Sequence, residues 1–303
     1  AMAVAFLVAS GLSFLLARRF LRPLARMEKV AAALAVGDYR ARTGIAQGDE
    51  VGSLAQSLDA LAVRLADAAE ESERLAQMRQ DFLASVSHEL RTPLTVLRGS
   101  LEVLEAGLLT DGEERRRYLA QMEANIGQLD RLVGDLFDLT RLQNADFPIE
   151  KAPVNVADAL SDALRSARPL AAQREITLAF GELPLILMAA DFGRLRQMFL
   201  IVLDNAVKFS PAQGVVEITV TAKKERWRIA IRDHGTGIAP KILPHLFQRF
   251  QRQKGEGNES GTGLGLAIAK AIADRHGIAL TAANAEGGGA IFTFRGTNSP
   301  GMH

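Results

Sequence analysis

The chain has 303 residues, 48% of them hydrophobic and 23% charged, with a net charge of +1 and no cysteine. This composition is typical of about two folded domains and excludes disordered and collagen-like chains. Without cysteine, a disulfide scaffold, a thiolate nucleophile and a cysteine-bound zinc site are also excluded. The near-neutral charge argues against bulk electrostatic binding of nucleic acid, so we expect no direct nucleic-acid partner.

The first segment differs from these averages. Residues 1–17 hold no charged side chain, and five basic residues follow between Arg18 and Lys29. This pattern predicts the end of a transmembrane helix over residues 1–21, with residues 1–17 in contact with lipid and the chain from about residue 18 in the cytoplasm. A buried soluble helix and a signal segment are the alternatives, because the run is short. Its abrupt start at Ala1 leads us to expect residues upstream.

The next segment, residues 22–74, has the pattern of two helices around a Gly-containing connector. The apolar positions that step by three and four are Leu24, Met27, Ala31 and Leu34, then Leu54, Leu58, Leu61, Leu65 and Ala68. Such seams predict a dimerising coiled coil, and two amphipathic helices within one chain are the alternative. Pro23 follows the membrane helix, and Asp49-Glu50-Val51-Gly52 precedes the second helix. In these features the segment resembles a HAMP linker, a parallel coiled coil.

Residues 75–145 carry two long helical patterns, about 70 to 107 and 113 to 143, joined by a turn at 109–112. Thr110 or Asp111 would cap the second helix. Its apolar stripe consists of Tyr118, Met122, Ile126, Leu129, Leu132, Val133, Leu136 and Leu139. A helical hairpin that pairs with a second copy as a four-helix bundle would bury this stripe, so we expect a homodimer.

Residues 150–298 have a mixed α and β pattern. Predicted helices cover 157–173, 191–209 and 264–276, and predicted strands cover 176–180, 215–222, 227–232, 278–281 and 290–294. Serial strand–helix–strand repetition is absent, which disfavours a doubly wound parallel sheet.

One of the five histidines has a context that indicates chemistry. Apolar residues on the helix of His88 lie about 160° to 220° away from it, so its imidazole should face solvent. An exposed imidazole is a usable nucleophile near neutral pH, and Glu89 could orient its ring. A role-free surface histidine is the alternative. A zinc protease motif is excluded, because Thr92 stands where the second metal-binding histidine would be.

The surrounding sequence closely resembles the phosphoacceptor box of sensor histidine kinases, over Phe82-Leu83-Ala84-Ser85-Val86-Ser87-His88-Glu89-Leu90-Arg91-Thr92-Pro93-Leu94. The resemblance implies that His88 accepts a phosphoryl group, that Glu89 assists the transfer, and that Thr92 takes part in dephosphorylating the partner. Pro93 should bend the helix just beyond the histidine, because it lacks the backbone donor toward Glu89.

A kinase needs a phosphate-binding device, and the sequence contains neither a Walker A motif nor a GxGxxG fingerprint. Asp233-His234-Gly235-Thr236-Gly237-Ile238 follows a predicted strand, and its carboxylate could accept from an adenine amine. Gly261-Thr262-Gly263-Leu264-Gly265-Leu266 precedes a helix whose N-terminus could hold phosphate. Asn205 and Lys208 share a helix face, where an amide oxygen for Mg²⁺ would lie beside a cation. Each feature alone could be an ordinary turn or helix surface.

Together these segments resemble the four boxes of the histidine-kinase ATP-binding domain: N (Arg196 to Pro211), G1 (Asp233 to Ile238), F (Phe247-Gln248-Arg249-Phe250) and G2 (Gly261 to Leu266). The resemblance implies a Bergerat-type α/β sandwich that binds ATP with Asn205 on Mg²⁺, Lys208 near phosphate and Asp233 on adenine. The remaining implied pocket residues are Gly235, Gly237, Phe247, Arg249, Phe250, Arg252, Gly261, Thr262, Gly263, Leu264 and Gly265. A mobile lid would cover about residues 239–260.

Two positions depart from the family pattern, since Ile201 replaces a frequent second Asn and Gln251 an aromatic residue. The sequence therefore predicts a sensor histidine kinase of the bacterial inner membrane. It would phosphorylate His88 from Mg-ATP, pass the phosphoryl group to an aspartate of a response regulator, and also dephosphorylate that regulator. The alternatives are an ATP-driven conformational ATPase on the same fold and a degenerate kinase that acts as scaffold or phosphatase.

Overall fold

The computed structural model describes residues 2–107, 111–144, 148–223, 225–251 and 262–298. The chain divides into two compact units, Ala1–Ala84 and Ser85–His303, which are described separately.

The first unit begins with an uninterrupted helical run. Helix α1 (Met2–Leu16) continues through a π-helical turn (Ala17–Leu21) into α2 (Arg22–Ala35). Among the described residues, Met2–Ala35 is the one helix that is long and apolar enough to cross a membrane. Pro23 lies directly after the π-helical turn, and because it has no N–H, one carbonyl of the preceding turn lacks its helical hydrogen bond.

The connector after α2 is held against α3 (Glu50–Glu105) by apolar and polar contacts. Val30, Leu34 and Ala62 form a small core, against which Tyr39, Ala41 and Leu58 pack. Buried Thr43 donates its backbone N–H and its hydroxyl to the Asp59 carboxylate, at 2.8 and 2.9 Å. This core lies within one chain, whereas the seam residues Leu24, Leu54 and Leu61 remain exposed and available to a second chain.

The acidic-Gly signature forms the start of α3. Asp49 accepts the Gly52 N–H on its side chain at 3.1 Å, and Arg19 lies 3.6 Å from the same carboxylate. A Cβ atom on Gly52 would lie 1.9 Å from the Gln47 carbonyl oxygen, so only glycine fits. Helix α3 then continues without interruption to Glu105, and the two helical stretches predicted on either side of residue 70 are one helix.

The second unit holds the end of α3, helix α4 (Gly112–Gln143) and an α/β domain. Asp111 caps α4 by accepting from the Glu113 N–H at 3.1 Å, which decides between the two predicted caps. On α4, Leu132 and Leu139 of the predicted stripe are buried, whereas Ile126 and Val133 are exposed in the single chain.

The α/β domain is a sandwich of helices on a mixed sheet. Its helices are α5 (Val156–Gln173), α6 (Phe192–Phe209) and α7 (Gly265–Arg275). The strands are β1 (Ala152–Asn155), β2 (Thr177–Phe180), β3 (Leu187–Ala190), β4 (Val215–Ala222), β5 (Arg226–Arg232), β6 (Ala279–Asn284) and β7 (Ala290–Thr297). The five-stranded sheet has the order β2-β4-β5-β7-β6, and only β2 and β4 pair in parallel. The expectation against a doubly wound parallel sheet is confirmed.

The antiparallel pair β1–β3 was missed by the sequence analysis. Strand β1 contains Pro153, and β3 is apolar throughout, so neither shows the alternation that marks a strand.

The core of this domain lies between α6 and the sheet. Leu195, Phe199 and Val202 are fully buried on one side of α6, and the Phe199 ring meets Phe294 of β7 edge-on at 5.0 Å. Because this side of α6 faces the sheet, Asn205 and Lys208 lie on the outward, half-buried side of the helix.

Candidate active site

His88 lies on α3, with 78% of its side chain exposed, as the helical spacing predicts. Its Nδ1 atom is 3.8 Å from Oε1 of Glu89, which is ion-pair range but longer than a hydrogen bond. The carboxylate therefore acts on the ring by charge, while the Nε2 side of the imidazole is left as the reachable face for an incoming group.

The Thr92 hydroxyl points back along the same helix. It donates to the His88 carbonyl oxygen at 3.2 Å, a local bond that Thr side chains often make in helices. Helix α3 remains continuous through Pro93. Thr92 therefore lies one turn from His88 on the same side of the helix, with its hydroxyl held by the backbone.

The outward side of α6 carries the predicted N box. Asn205 donates its Nδ2 to the Ile201 carbonyl oxygen at 2.9 Å, which leaves its Oδ1 as the atom that can bind a cation. Lys208 follows one turn later and is half-buried. Burial raises the pKa of the neighbouring Asp204 carboxyl, and the positive charge of Lys208 opposes that rise.

The G1 segment leaves the end of β5 and packs against the end of α6. Asp233 is buried, and its Oδ1 accepts from the N–H groups of Gly235 at 2.9 Å and Ala290 at 3.1 Å. Within the described residues, its Oδ2 receives no hydrogen bond and could accept from a base amine. A Cβ atom on Gly235 would lie 2.0 Å from the Phe209 carbonyl oxygen, so this close approach requires glycine.

Two residues that support this loop were not found from the sequence. The Asn284 side chain accepts from the Ile238 N–H at 2.7 Å and donates to the Ile238 carbonyl at 2.8 Å. That contact fixes the loop, which turns at Gly237 with φ of +73°. A Cβ atom on Gly289 would lie 1.9 Å from the Asp233 carbonyl oxygen. Asn284 and Gly289 lie about fifty positions after the G1 loop in the sequence, and no local pattern indicates that they contact it.

The F and G2 segments meet at the start of α7. The Phe250 N–H donates to the Gly263 carbonyl at 2.8 Å, and the N-cap residue Leu264 makes no side-chain cap. A helix start without a side-chain cap can offer its N–H groups to phosphate. Gly265 approaches Ile201 of α6, where an added Cβ atom would lie 3.3 Å from the isoleucine Cγ2.

The structure describes some of the remaining predicted pocket residues and not others. Phe247 and Arg249 are half-buried, and burial lowers the pKa of the Arg249 guanidinium. Arg252, Gly261 and residues 252–260 of the predicted lid lie outside the described residues; the lid residues before them, 239–251, form turns and a short 3-10 helix at Leu243–His245.

Helix α6 is thus the centre on which the predicted segments converge. G1 contacts its C-terminal end at Phe209, G2 contacts it at Ile201, and F is bonded to G2 through Phe250 and Gly263. The described residues contain no group of three His, Asp or Glu side chains that could hold a metal by themselves. Asn205 offers one amide oxygen of the kind that Mg²⁺ accepts as a ligand.

Three protein families match successive parts of the chain. The HAMP domain matches residues 15–67, and the His Kinase A (phospho-acceptor) domain matches residues 78–145. The histidine kinase-, DNA gyrase B- and HSP90-like ATPase family matches residues 190–297. The chain belongs to the bacterial two-component sensor histidine kinases. His88 lies in the phospho-acceptor match of this histidine kinase, and Asn205 and Asp233 lie in the ATPase match.

Individual histidine kinases are similar over most of the chain. The signal transduction histidine-protein kinase BaeS of Escherichia coli K12 is 36% identical over 293 residues, 96% of this chain and 61% of BaeS. The chain therefore spans about three fifths of that relative. The Acinetobacter baumannii histidine kinase AdeS has a TM-score of 0.56 at 26% identity, covering 70% of this chain and 98% of AdeS. Full-length ShkA in complex with AMPPNP has a TM-score of 0.52 at 33% identity, over 72% of this chain and 46% of ShkA.

The sequence analysis also missed the contacts that hold α4 of the histidine kinase against its ATPase domain. Arg194 and Gln197 of α6 donate to the two oxygens of Asp138 at 2.9 and 2.7 Å. Thr262 donates to Asp135 at 2.6 Å. The α4 stripe was predicted from apolar residues alone, and these carboxylates lie beside it on the same helix.

Proposed function

We propose that this histidine kinase transfers the γ-phosphoryl group of Mg-ATP to His88 and then to an aspartate of a response regulator. The observation that carries the proposal is the convergence of the N, G1, F and G2 segments on α6, in a chain that also presents an exposed histidine on α3. ShkA, which is similar over most of this chain, was solved with the ATP analogue AMPPNP.

A carboxylate would bind the adenine end of the nucleotide, and a cation with backbone N–H groups would bind its phosphate end. Oδ2 of Asp233 would accept from the adenine amine, since Oδ1 is already bonded to two backbone N–H groups. Lys208 and the free N–H groups at the start of α7 would bind the phosphates. Asn205 would hold Mg²⁺ through Oδ1, and the ion supplies neutralisation of phosphate charge. Gly261, Thr262, Arg249 and Arg252 would complete the phosphate side.

At His88, transfer is an in-line displacement. The Nε2 lone pair forms the bond to the γ-phosphorus, the bond from that phosphorus to the β–γ bridging oxygen breaks, and ADP leaves with those electrons. The ring gains positive charge as this bond forms. Glu89, 3.8 Å from Nδ1, stabilises that charge and takes up the Nδ1 proton.

Thr92 would act in the opposing activity, in which water attacks the aspartyl phosphate of the regulator and inorganic phosphate leaves. Its hydroxyl is bonded to the His88 carbonyl, so this role requires the side chain to rotate away from the backbone. A rotamer change of an exposed threonine is a fast motion and presents no barrier to the proposal.

The partners follow from the exposed surfaces. Exposed apolar residues continue along α4 at Leu119, Ile126, Val133 and Phe137, which fits a homodimer that buries them in a four-helix bundle. The apolar face of α1 fits lipid through residues 1–17. The chain would then lie in the bacterial inner membrane with the residues from about 18 onward in the cytoplasm. We expect no direct nucleic-acid partner, since the net charge is only +1.

Two other functions would use the same fold. A conformational ATPase would need no acceptor histidine, and the phospho-acceptor match around His88 favours a kinase instead. A degenerate kinase that only acts as scaffold or phosphatase would need no working nucleotide site. The arrangement of Asn205, Lys208 and Asp233 favours an active enzyme.

The donor site is tested with Asn205→Ala in the full chain. Loss of the Oδ1 ligand should reduce Mg-dependent ATP affinity at least about tenfold, as removal of one charge-assisted ligand does, and phosphorylation should fall with it. Titration calorimetry with and without Mg²⁺ measures the affinity. Asn125→Ala is the matched control, because Asn125 makes the same bond to the carbonyl four residues earlier, at 2.9 Å, on α4. Equal ATP affinity in the two variants would remove Asn205 from the site.

A further inference from the structure

Two carboxylates of α4 reach the nucleotide-binding domain, and they contact different parts of it. Asp138 binds Arg194 and Gln197 at the start of α6, an anchor at the edge of the domain. Asp135, about one turn earlier, accepts a 2.6 Å hydrogen bond from the Thr262 hydroxyl in the G2 segment. The second contact therefore reaches into the segment that would bind phosphate.

Asp135 interacts with two of the groups assigned above to the phosphates, the Thr262 hydroxyl and the charge of Lys208. Thr262 stands two residues before Leu264, the N-cap of α7, and its hydroxyl also accepts from the Leu264 N–H at 3.3 Å. Burial has the largest effect on the Asp135 carboxyl and raises its pKa. The Thr262 hydrogen bond and the positive charges of Arg131 and Lys208 act in the opposite direction, whereas the negative charge of Asp138 adds to the rise. A half-buried carboxylate thus accepts a hydrogen bond from the G2 hydroxyl, within electrostatic range of the N-box lysine.

An anion in this position opposes a second anion. The triphosphate of ATP would bring several negative charges to Lys208, Thr262 and the start of α7, and like charges a few ångströms apart repel in a partly desolvated site. For phosphate to use the Thr262 hydroxyl, that hydroxyl must also leave Asp135. Both effects lower affinity for phosphate-bearing ligands and leave binding of the base unchanged.

We propose that Asp135 is an internal competitor of the nucleotide phosphates, which keeps ATP affinity low while α4 is docked on the ATPase domain. Movement of α4 away from Thr262 would remove the competing charge and raise ATP affinity. The inference rests on the proposed function, because it assigns regulation to the same nucleotide site. It makes the docked arrangement an autoinhibited one.

The test compares Asp135→Asn with the wild-type full chain. Asparagine keeps the shape and can still accept from Thr262, so the substitution removes the charge and keeps the contact. Equilibrium binding is measured with two probes, Mg-AMPPNP and adenosine. We expect Asp135→Asn to bind AMPPNP roughly five- to twentyfold more tightly, the effect of one nearby charge, and to bind adenosine as the wild type does.

Asp130→Asn is the matched control, since it removes an exposed negative charge from the same helix. It should leave both affinities near those of the wild type. Unchanged or weaker AMPPNP binding by Asp135→Asn, with normal adenosine binding, would overturn the proposal. An equal gain for both probes would also overturn it, because it would indicate domain opening instead of charge competition. Failure of the wild type and the variant alike to bind AMPPNP would contradict the proposed function itself.

Discussion

His276 shows how one buried residue sets a property of the ATPase domain. Its Nδ1 bonds the Ile272 carbonyl at 2.8 Å, and its Nε2 accepts from the Asp191 N–H at 3.1 Å, so both ring nitrogens are used in the neutral form. Burial lowers the pKa of His276, and the bond to Ile272 partly opposes this. The residue joins the end of α7 to Asp191, the N-cap of α6, and so fixes the helix that carries the N box.

This environment predicts an acid-sensitive domain. Because the pKa of His276 is lower in the folded state, the unfolded chain binds more protons below about pH 6.5. The free energy of unfolding should therefore decrease as the pH falls through that range, by at most about 1.4 kcal/mol per pH unit for one group. Urea unfolding of the full chain, followed by the fluorescence of Trp227 in the domain core, measures it. His276→Gln should lose this part of the slope.

His245→Gln serves as the comparison, because His245 is exposed. Its pH profile should match that of the wild type. A His276→Gln profile as steep as the wild-type one would show that other groups cause the acid sensitivity.

At the level of elements, spacing and caps predicted most of the fold. Helices α4 to α7 and the long strands follow their periodicities closely, because each buries one regular face. The sequence did not predict β1 and β3, because β1 contains a proline and β3 is apolar throughout. The contacts of Asn284 and Asp135 were also not predicted from the sequence, because they join residues 46 and 127 positions apart. Local patterns locate the boxes of the site but not the distant residues that support or oppose them.

The packing of G1 on α6 predicts the effect of one added methyl group. In Gly235→Ala the new Cβ atom would lie 2.0 Å from the Phe209 carbonyl, and backbone on both sides must shift. We expect a loss of roughly 1 to 3 kcal/mol in unfolding free energy, typical of overpacking, and weaker ATP binding as Asp233 is displaced. Urea unfolding and calorimetry measure the two effects.

Gly181→Ala provides the control for that experiment, since an added Cβ atom there would meet no atom within 4 Å. It should be nearly neutral in both measurements. If Gly235→Ala were as stable as this control and bound ATP equally well, the close approach of G1 to α6 would be wrong.

At the level of the whole molecule, the average composition does not show that the apolar residues lie in regions with different roles. The apolar residues first taken as the cores of about two domains are shared among an exposed N-terminal helix, seams on α3 and α4, and the core between α6 and the sheet. The core between α6 and the sheet is buried within one chain, whereas the seams on α3 and α4 are buried there only in part. The absence of cysteine leaves histidine as the natural nucleophile, and His88 is the histidine exposed on a long helix.

Phosphorylation of His88→Gln in the full chain tests the proposed kinase most directly. Wild-type protein incubated with Mg²⁺ and γ-labelled ATP should acquire label that is stable in alkali and lost in acid, as expected for a phosphorus–nitrogen bond. His88→Gln should bind ATP with wild-type affinity and acquire no such label, because it lacks the imidazole nucleophile. Acid-labile label on His88→Gln at the wild-type level would contradict the assignment of His88 as the phosphoacceptor.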